Sequence, residues 1–475
     1  MPGRPDCLHP GQAKNDMAMD QLRLYNTLSR RVEPVEKDGD RCGVYCCGPT
    51  VYAPAHIGNF RTFVAVDLLV RTLALASYDP FFVRNLTDID DKTIAGSQAA
   101  GQGLEDFTGH WTEVFHRDCA ALNLLPPAVE PRATDHINEQ LAIIGRLVER
   151  GIAYERDGSV YFRIAAWKDY GRLSRLADRE LLARENGRFA KDGAEDFVLW
   201  KAARESDGSV RYASPWGPGR PGWHIECSAM AWKHLGPNFS IHCGGVDLLF
   251  PHHENEIAQT EAAMDRPIAR HWFHVAHLQI GGEKMSKSLG NLYTVADIVT
   301  AGHSSRTLRL ALSSCHYGRE LCFRPESLQS AGQALAQLDA VGKVLQKSSG
   351  GGRPMAQQFS RWQSVWEAVL EDLNLPLAIG RLFRGLRHWN PEKNANDDDW
   401  AEWQRLLFLL GLSLPPREEA VPDGIRSLAE ERMAARRARD FIRADALRRK
   451  LADEGWAVRD TEDDYTLSRQ QPRTG

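Results

Sequence analysis

Residues 43–86 read GVYCCGPTVYAPAHIGNFRTFVAVDLLVRTLALASYDPFFVRNL. Gly43 to Cys47 is a short β-rich run that stops at the turn signal Gly48-Pro49. A helix opens near Gly58, where Phe63, Val66, Leu69, Val70 and Leu73 recur at helical spacing on one face. Pro80 to Leu86 follows as a second buried strand. Strand, helix and strand within this length make a βαβ unit, hence a parallel sheet with a right-handed crossover. Pro54 to Asn59 joins the first strand to the helix. There the helix start aims free N–H groups and a partial positive charge into the crevice, which is an anion site. Gly58 lets a ligand approach the backbone, and His56 offers a donor to a phosphate oxygen.

Farther along, residues of about 104–150 read as helical, and Tyr154 to Phe162 as a hairpin turning at Asp157-Gly158. Residues 165–222 are irregular and rich in Gly and Arg. The α/β pattern then resumes: a helix near Trp223, a strand from Phe239 to Cys243, a helix from about His252 and a strand from Trp272 to Ile280. This is one α/β domain interrupted by an insertion. Residues 326–412 read as helices, with Ser348-Ser349-Gly350-Gly351-Gly352 as a flexible connector. Pro415-Pro416 marks the next boundary, and Leu428 to Leu451 reads as a basic helix.

The whole chain has 475 residues, 43% of them apolar, which suits two to four domains with sizeable cores and excludes a wholly disordered protein. Its formal charge of −4 leaves no global basic field, so a polyanion must be held by local patches. One such patch is Arg426 to Lys450, with nine basic and four acidic residues. Nine cysteines without regular spacing fit a reducing cytoplasm better than a disulfide framework. Met1 to Asp20 has no apolar signal core, and the longest apolar stretch, Thr62 to Ala76, is interrupted by Asp67 and Arg71.

Two further clusters carry chemistry. Gly281-Gly282-Glu283-Lys284-Met285-Ser286-Lys287-Ser288 places two lysines three apart behind a glycine hinge. A mobile loop of this kind can follow charge that develops on a departing pyrophosphate. Cys47, Cys227, His252 and Glu256 offer two thiolates, an imidazole and a carboxylate, and His252 and Glu256 are four apart on one helix face. The set fits tetrahedral zinc. Cys46, Cys243, His242 and His253 compete for the same roles, although Cys46 and Cys47 point to opposite sides of a strand.

The motifs together resemble class I aminoacyl-tRNA synthetases. Lys284 to Ser288 matches their lysine signature letter for letter, and His56 to Asn59 matches their histidine signature except that Asn59, still a hydrogen-bond donor, replaces the last His. Cys47 to Tyr52, Thr87 to Lys92, Gly222 to Met230 and Gly244 to Glu256 are similar to the cysteinyl-tRNA synthetase family, from about residue 25 to 320. Ala53-Pro54 departs from the acidic residue usual after Val-Tyr, at a position that is not a ligand. The resemblance implies one Zn2+ per chain on Cys47, Cys227, His252 and Glu256. It implies ATP, with Mg2+, at His56, Gly58, Asn59, Asp247, Lys284 and Lys287. It implies L-cysteine at Gly48, Thr87, Trp223 and His224.

The implied fold is a Rossmann-like parallel-sheet catalytic domain split by an insertion, a helical domain and a small C-terminal tRNA-binding domain. In residues, this is a flexible tail (1–20), a first catalytic half (21–124), a connective insertion (125–205) and a second half with the zinc site (206–280). The lysine loop and stem-contact region (281–325), a helical bundle (326–412) and an anticodon-binding region (413–475) complete it. The implied protein is a cytoplasmic monomer with no membrane association. It adenylates cysteine and passes it to the 3′-terminal adenosine of tRNA(Cys). Zinc would select the thiol, which an apolar pocket separates poorly from a serine hydroxyl. The rivals are a cysteine ligase that acylates an amino sugar through the same adenylate, which lacks the tRNA-binding C-terminus, and a non-catalytic cysteine or tRNA sensor, which would have lost His56 or the lysines.

Overall fold

The computed structural model describes residues 20–175, 196–280, 283–284, 292–349, 354–414, 423–438, 440–460 and 465–469. The expected tail therefore lies outside the described residues apart from Asp20, as do Gly350 to Gly352 of the connector.

After the antiparallel pair Arg23–Asn26/Arg31–Pro34, the first strand of the parallel sheet is Cys42–Cys46 and its partner is Pro80–Arg84, joined by the helix Ile57–Leu75. A second pair, Phe239–Gly245 and Ala269–Val275, is joined by the helix Glu254–Met264. All pairings are parallel, and the spatial order is Ala269–Val275, Phe239–Gly245, Cys42–Cys46, Pro80–Arg84. From the two central strands the chain therefore leaves in opposite directions. In an open parallel sheet this reversal opens a crevice beyond the carboxyl ends, where ligands bind. The sheet buries Tyr45, Val83, Phe239 and Trp272 on one side.

In the helix Ile57–Leu75 the apolar face Phe63, Val66, Leu69, Val70 and Leu73 is buried as expected, and burial extends beyond it. Fifteen of its 19 residues are buried. The helices Ser305–Leu312 and Asp397–Leu410 cover the side turned away from the sheet. Asp67 and Arg71 are therefore interior. Arg71 donates to Asp67 at 2.7 Å, Arg309 donates to the same carboxylate, and Leu125 N–H donates to its other oxygen at 2.7 Å. Arg309 also donates to the carbonyls of Leu410 (2.8 Å) and Leu122 (2.9 Å), and Arg71 to Phe408 (2.9 Å). One carboxylate thus fixes two guanidiniums that tie the helix Ile57–Leu75 to the helical region.

Several boundaries differ from the sequence reading. The stretch Trp272 to Ile280 is two strands in two sheets. After Val275 the chain turns aside, Ala276 N–H bonding to Tyr317 O at 2.8 Å, and Leu278–Ile280 pairs with Leu321–Phe323. Within 165–222 the strands Phe197–Ala202 and Gly219–Pro221 extend the hairpin Ala153–Arg156/Ser159–Phe162 into an antiparallel sheet. Residues 104–150 are two helices, Leu104–Ala121 and Ile137–Glu149, separated by a segment that is irregular up to the short 3-10 turn Thr134–His136. Leu428 to Leu451 is not one helix: Asp423–Arg437 and Phe441–Asp453 pack on each other, followed by the hairpin Trp456–Asp460/Tyr465–Arg469. These elements belong to a second compact unit that begins at Leu414. Among the described residues no helix is long and apolar enough to cross a membrane.

Asp67→Ala is expected to leave Arg71 and Arg309 buried without their counter-charge and to cost about 3–5 kcal/mol. Urea unfolding followed by tryptophan fluorescence checks this. A midpoint equal to that of the parent would contradict the network's structural role.

Candidate active site

Cys47 emerges from the first strand at the point where the two halves of the sheet meet, and its N–H donates to Cys243 O at 3.1 Å. Gly48 follows, with its N–H on Asn85 Oδ1 at 2.9 Å. A Cβ on Gly48 would lie 1.7 Å from Asn85 O, so no side chain fits. From here a cleft of about 640 Å³ opens, lined by Cys47, Gly48, His56, Gly58, Asn59, Trp223 and Asp247 among others. Thr87 and His224 are buried at 2% and 4% exposure and do not line it. The Thr87 hydroxyl accepts from Asn85 Nδ2 at 3.3 Å.

At one end the four donors Cys47, Cys227, His252 and Glu256 come together, all atoms within 4.8 Å of one another and all buried. They arrive from four places: a strand end, the second turn of the helix Trp223–Leu235, the wide turn Leu249–His253 and the helix Glu254–Met264. Cys47 Sγ lies 3.8 Å from Cys227 Sγ and 3.6 Å from Glu256 Oε1. His252 Nε2 lies 3.1 Å from Glu256 Oε1 and is buried without a hydrogen-bond partner. Its other nitrogen is 2.9 Å from His224 Nδ1. An imidazole fixed at one nitrogen, with the other turned unpaired toward two thiols and a carboxylate, has the donor arrangement of a metal ligand.

The competing histidines are also close. Cys47, His242, His253 and Glu256 form a second group within the same 4.8 Å limit. Here too the imidazoles face the shared donors, His253 Nε2 lying 3.3 Å from Cys47 Sγ. His242 Nε2 holds Glu256 Oε2 at 2.9 Å, and His253 Nδ1 meets His274 Nε2 at 2.8 Å, which passes on to Thr27 Oγ1 at 2.8 Å. The two groups share Cys47 and Glu256, so one tetrahedral ion uses one of them. The Cys46 thiol turns back on Cys47 O at 3.5 Å, away from the cluster, and Cys243 lies outside both groups.

Charge is distributed to suit a cation. Burial works against ionisation of Glu256, but His242 and His252 override it and hold the carboxyl at about 2. Burial likewise opposes a charged His252, yet Glu256 and Cys227 raise it to about 10. A hydrogen bond from Cys47 pulls the Cys227 thiol down to about 6, and burial pushes Cys47 well up. Burial keeps His274 down at about 3 and His253 well below its ordinary value, so both are neutral. These shifts favour anionic sulfur and carboxylate donors, and a metal ion would take the place of the proton on His252.

At the other end, His56 caps the helix Ile57–Leu75. Asn59 N–H donates to His56 Nδ1 at 3.2 Å, and the Asn59 side-chain oxygen accepts from His56 N–H at 3.1 Å. This reciprocal capping box gives Asn59 a role the sequence reading did not assign. Ile57 N–H donates to Tyr293 O at 2.8 Å, which ties the helix start to the segment that follows the lysine loop. Gly245 sits against Asp247, whose Oδ1 would lie 2.4 Å from an added Cβ. Lys284 is in a strand that pairs with Gln279, and Lys287 lies outside the described residues.

Sequence reasoning also passed over Asn85, His274 and the supporting part played by His242. Gly244 is the available signal: directly opposite His274 in register, it leaves the space that the His253 ring fills, 2.6 Å from where a Cβ would stand.

A family model described as tRNA synthetases class I (C) catalytic domain matches residues 33–333. The curated cysteine–tRNA ligase of Opitutus terrae is 48% identical over 464 residues, 94% of this chain and 98% of that protein. That of Methanosarcina mazei is 39% identical over 468 residues, 93% and 98% of the two chains. Among solved structures, Mycobacterium tuberculosis methionyl-tRNA synthetase in complex with methionyl-adenylate shares the fold with a TM-score of 0.55 at 18% identity. It covers 78% of this chain and 89% of its own. With the catalytic domain matched over residues 33–333 and relatives aligned along nearly their whole length, the chain belongs to the cysteine–tRNA ligase family of class I tRNA synthetases.

Proposed function

We propose that the chain activates L-cysteine with ATP and transfers the cysteinyl group to the 3′-terminal adenosine of tRNA(Cys), acting as a cytoplasmic monomer with one zinc ion and with Mg2+ brought by ATP. The observation that carries this reading is that Cys47 lines the same cleft as His56, Asn59 and Asp247. A thiol-selective end and a phosphate end thus face one space.

Cys47, Cys227, His252 and Glu256 would hold the ion. Bound there, zinc is a soft Lewis acid that takes a thiolate in preference to a hydroxyl and lowers the thiol pKa toward neutrality. His242 keeps Glu256 ionised and oriented, and His224 fixes His252 at Nδ1, the nitrogen turned away from the cluster. Gly48 and Trp223 border the amino acid, with Thr87 and His224 behind them. Trp223 covers the His252 ring, their centroids 4.4 Å apart. The helix start at His56, Gly58 and Asn59 directs N–H groups at the phosphates, and Asp247 receives the adenosine. Lys284 and Lys287 follow the charge that builds on pyrophosphate as the cysteine carboxylate attacks the α-phosphate, an interaction stronger in the transition state than in the ground state. The separate unit from Leu414 and the whole-length match to tRNA ligases favour tRNA over an amino sugar as acceptor.

The reading is tested with purified protein, ATP and labelled pyrophosphate. Exchange is expected with cysteine and not with serine, and acyl transfer with tRNA and not with an amino sugar. Absence of cysteine-dependent exchange would sink it.

Cys227→Ser is expected to lose both the metal and the preference for cysteine. Full zinc occupancy by atomic absorption would contradict the ligand assignment. Lys287→Ala is expected to slow pyrophosphate exchange about a hundredfold, the usual consequence of removing one preorganised charge, while zinc content and cysteine affinity stay near parent values. An unchanged exchange rate would make the loop a solvated charge pair.

A further inference from the structure

The cleft has a third wall that neither the amino acid nor the nucleotide accounts for. Tyr52 and Lys92 stand on it, with Trp111 and Phe115 behind. They are presented at the carboxyl ends of adjacent strands. Tyr52 lies on the loop after Cys42–Cys46, and Lys92 is the second residue of the helix Asp91–Ala100 that follows Pro80–Arg84. Two backbone hydrogen bonds lock the supporting segments together, Val51 N–H to Thr87 O and Thr87 N–H to Pro49 O, both 3.1 Å.

Three features distinguish this wall. Among the described residues that line the cleft, Lys92 is the one lysine or arginine, as Asp247 is the one carboxylate. The Lys92 ammonium is exposed, forms no ion pair among the described residues and lies 5.4 Å from the centre of the Tyr52 ring. The Trp111 indole N–H is buried without an acceptor. An uncommitted cation, an aromatic face and a spare donor together suit a single-stranded nucleic acid: a phosphate, a stacked base and a polar base edge.

The reaction requires such a seat. Once cysteine is adenylated between Cys47 and His56, a ribose hydroxyl must reach its carbonyl carbon. The hydroxyl oxygen bonds to that carbon, the bond from the carbon to the phosphate oxygen breaks, and AMP leaves with the electron pair and takes up the hydroxyl proton. Two sides of the adenylate are occupied by the metal cluster and the helix start, so the acceptor enters from the third.

We propose that Tyr52, Lys92 and Trp111 seat the single-stranded 3′ end of the tRNA, Lys92 on a backbone phosphate and Tyr52 against a terminal base. This rests on the tRNA-charging reading above. The cation–aromatic contact between Lys92 and Tyr52 is weak at an exposed site, so it gives way when a phosphate takes the ammonium.

The test separates the two half-reactions. Pyrophosphate exchange needs no tRNA, and transfer is followed in a single turnover from preformed cysteinyl-adenylate to unfractionated tRNA. Lys92→Ala and Tyr52→Leu should each slow transfer about tenfold or more, with exchange within about twofold of the parent and zinc content intact. Lys92→Arg and Tyr52→Phe should restore transfer. Lys92→Ala should also flatten the salt dependence of the KM for tRNA by about one unit of slope, one phosphate contact. Parallel loss of exchange and transfer would assign these residues to adenylate formation, and unchanged transfer would remove them from the reaction; either result overturns the proposal. Failure of the parent protein to exchange with cysteine would instead overturn the underlying reading, so the two failures are distinguishable.

Discussion

The contact on which the rest of the site depends is the meeting of the two central strands at their carboxyl ends, where Cys47 N–H bonds to Cys243 O. Because the chain leaves these strands in opposite directions, the space beyond them stays open while the backbones themselves are in contact. Cys47 projects into that space from one half, and the turn carrying His252 approaches from the other. The glycines at this junction follow from the crowding. Gly48 meets the backbone of Asn85 and Gly244 the ring of His253, and neither position has room for a Cβ. Displacing either strand would separate the thiol from its partners and from the helix start nine residues later.

Gathering four donors out of water raises an energetic problem that the surrounding histidines answer. A buried carboxylate and thiolate would ordinarily take up protons. Here His242 and His252 keep Glu256 ionised, and burial keeps His253 and His274 neutral. The cluster therefore has anionic donors with one neutralising proton, and a divalent cation satisfies it better than the proton does. On the proposed reading, the same stabilisation leaves the ion able to accept a substrate thiol.

Much of this was legible in the chain. The apolar spacing after Gly58 and the strand-like runs on either side give the βαβ unit from periodicity alone, and the i, i+4 spacing of His252 and Glu256 gives a shared face. Other features were not legible, for identifiable reasons. Alternation excludes Cys46 once the strand is known, but it does not rank His242 and His253 against His252, because the fold brings all three imidazoles to Cys47 or Glu256. Asn59 reads as a departure from a motif, whereas its work is done on the backbone N–H of His56, a local contact that side-chain chemistry alone does not reveal. Apolar content extends through Trp272 to Ile280, yet the strand breaks where Ala276 finds a carbonyl on a distant segment. Burial of the remaining face of Ile57–Leu75 was not legible because the helices that cover it lie more than 200 residues away in sequence.

The central claim is that thiol recognition occurs at the buried cluster. It is tested most directly by replacing the metal with cobalt(II) and recording the thiolate-to-metal charge-transfer absorption as amino acids are added. The account predicts that cysteine increases this band, one more sulfur having joined Cys47 and Cys227, and that serine leaves it unchanged. A band unaffected by cysteine, in protein that still exchanges pyrophosphate with it, would contradict the claim.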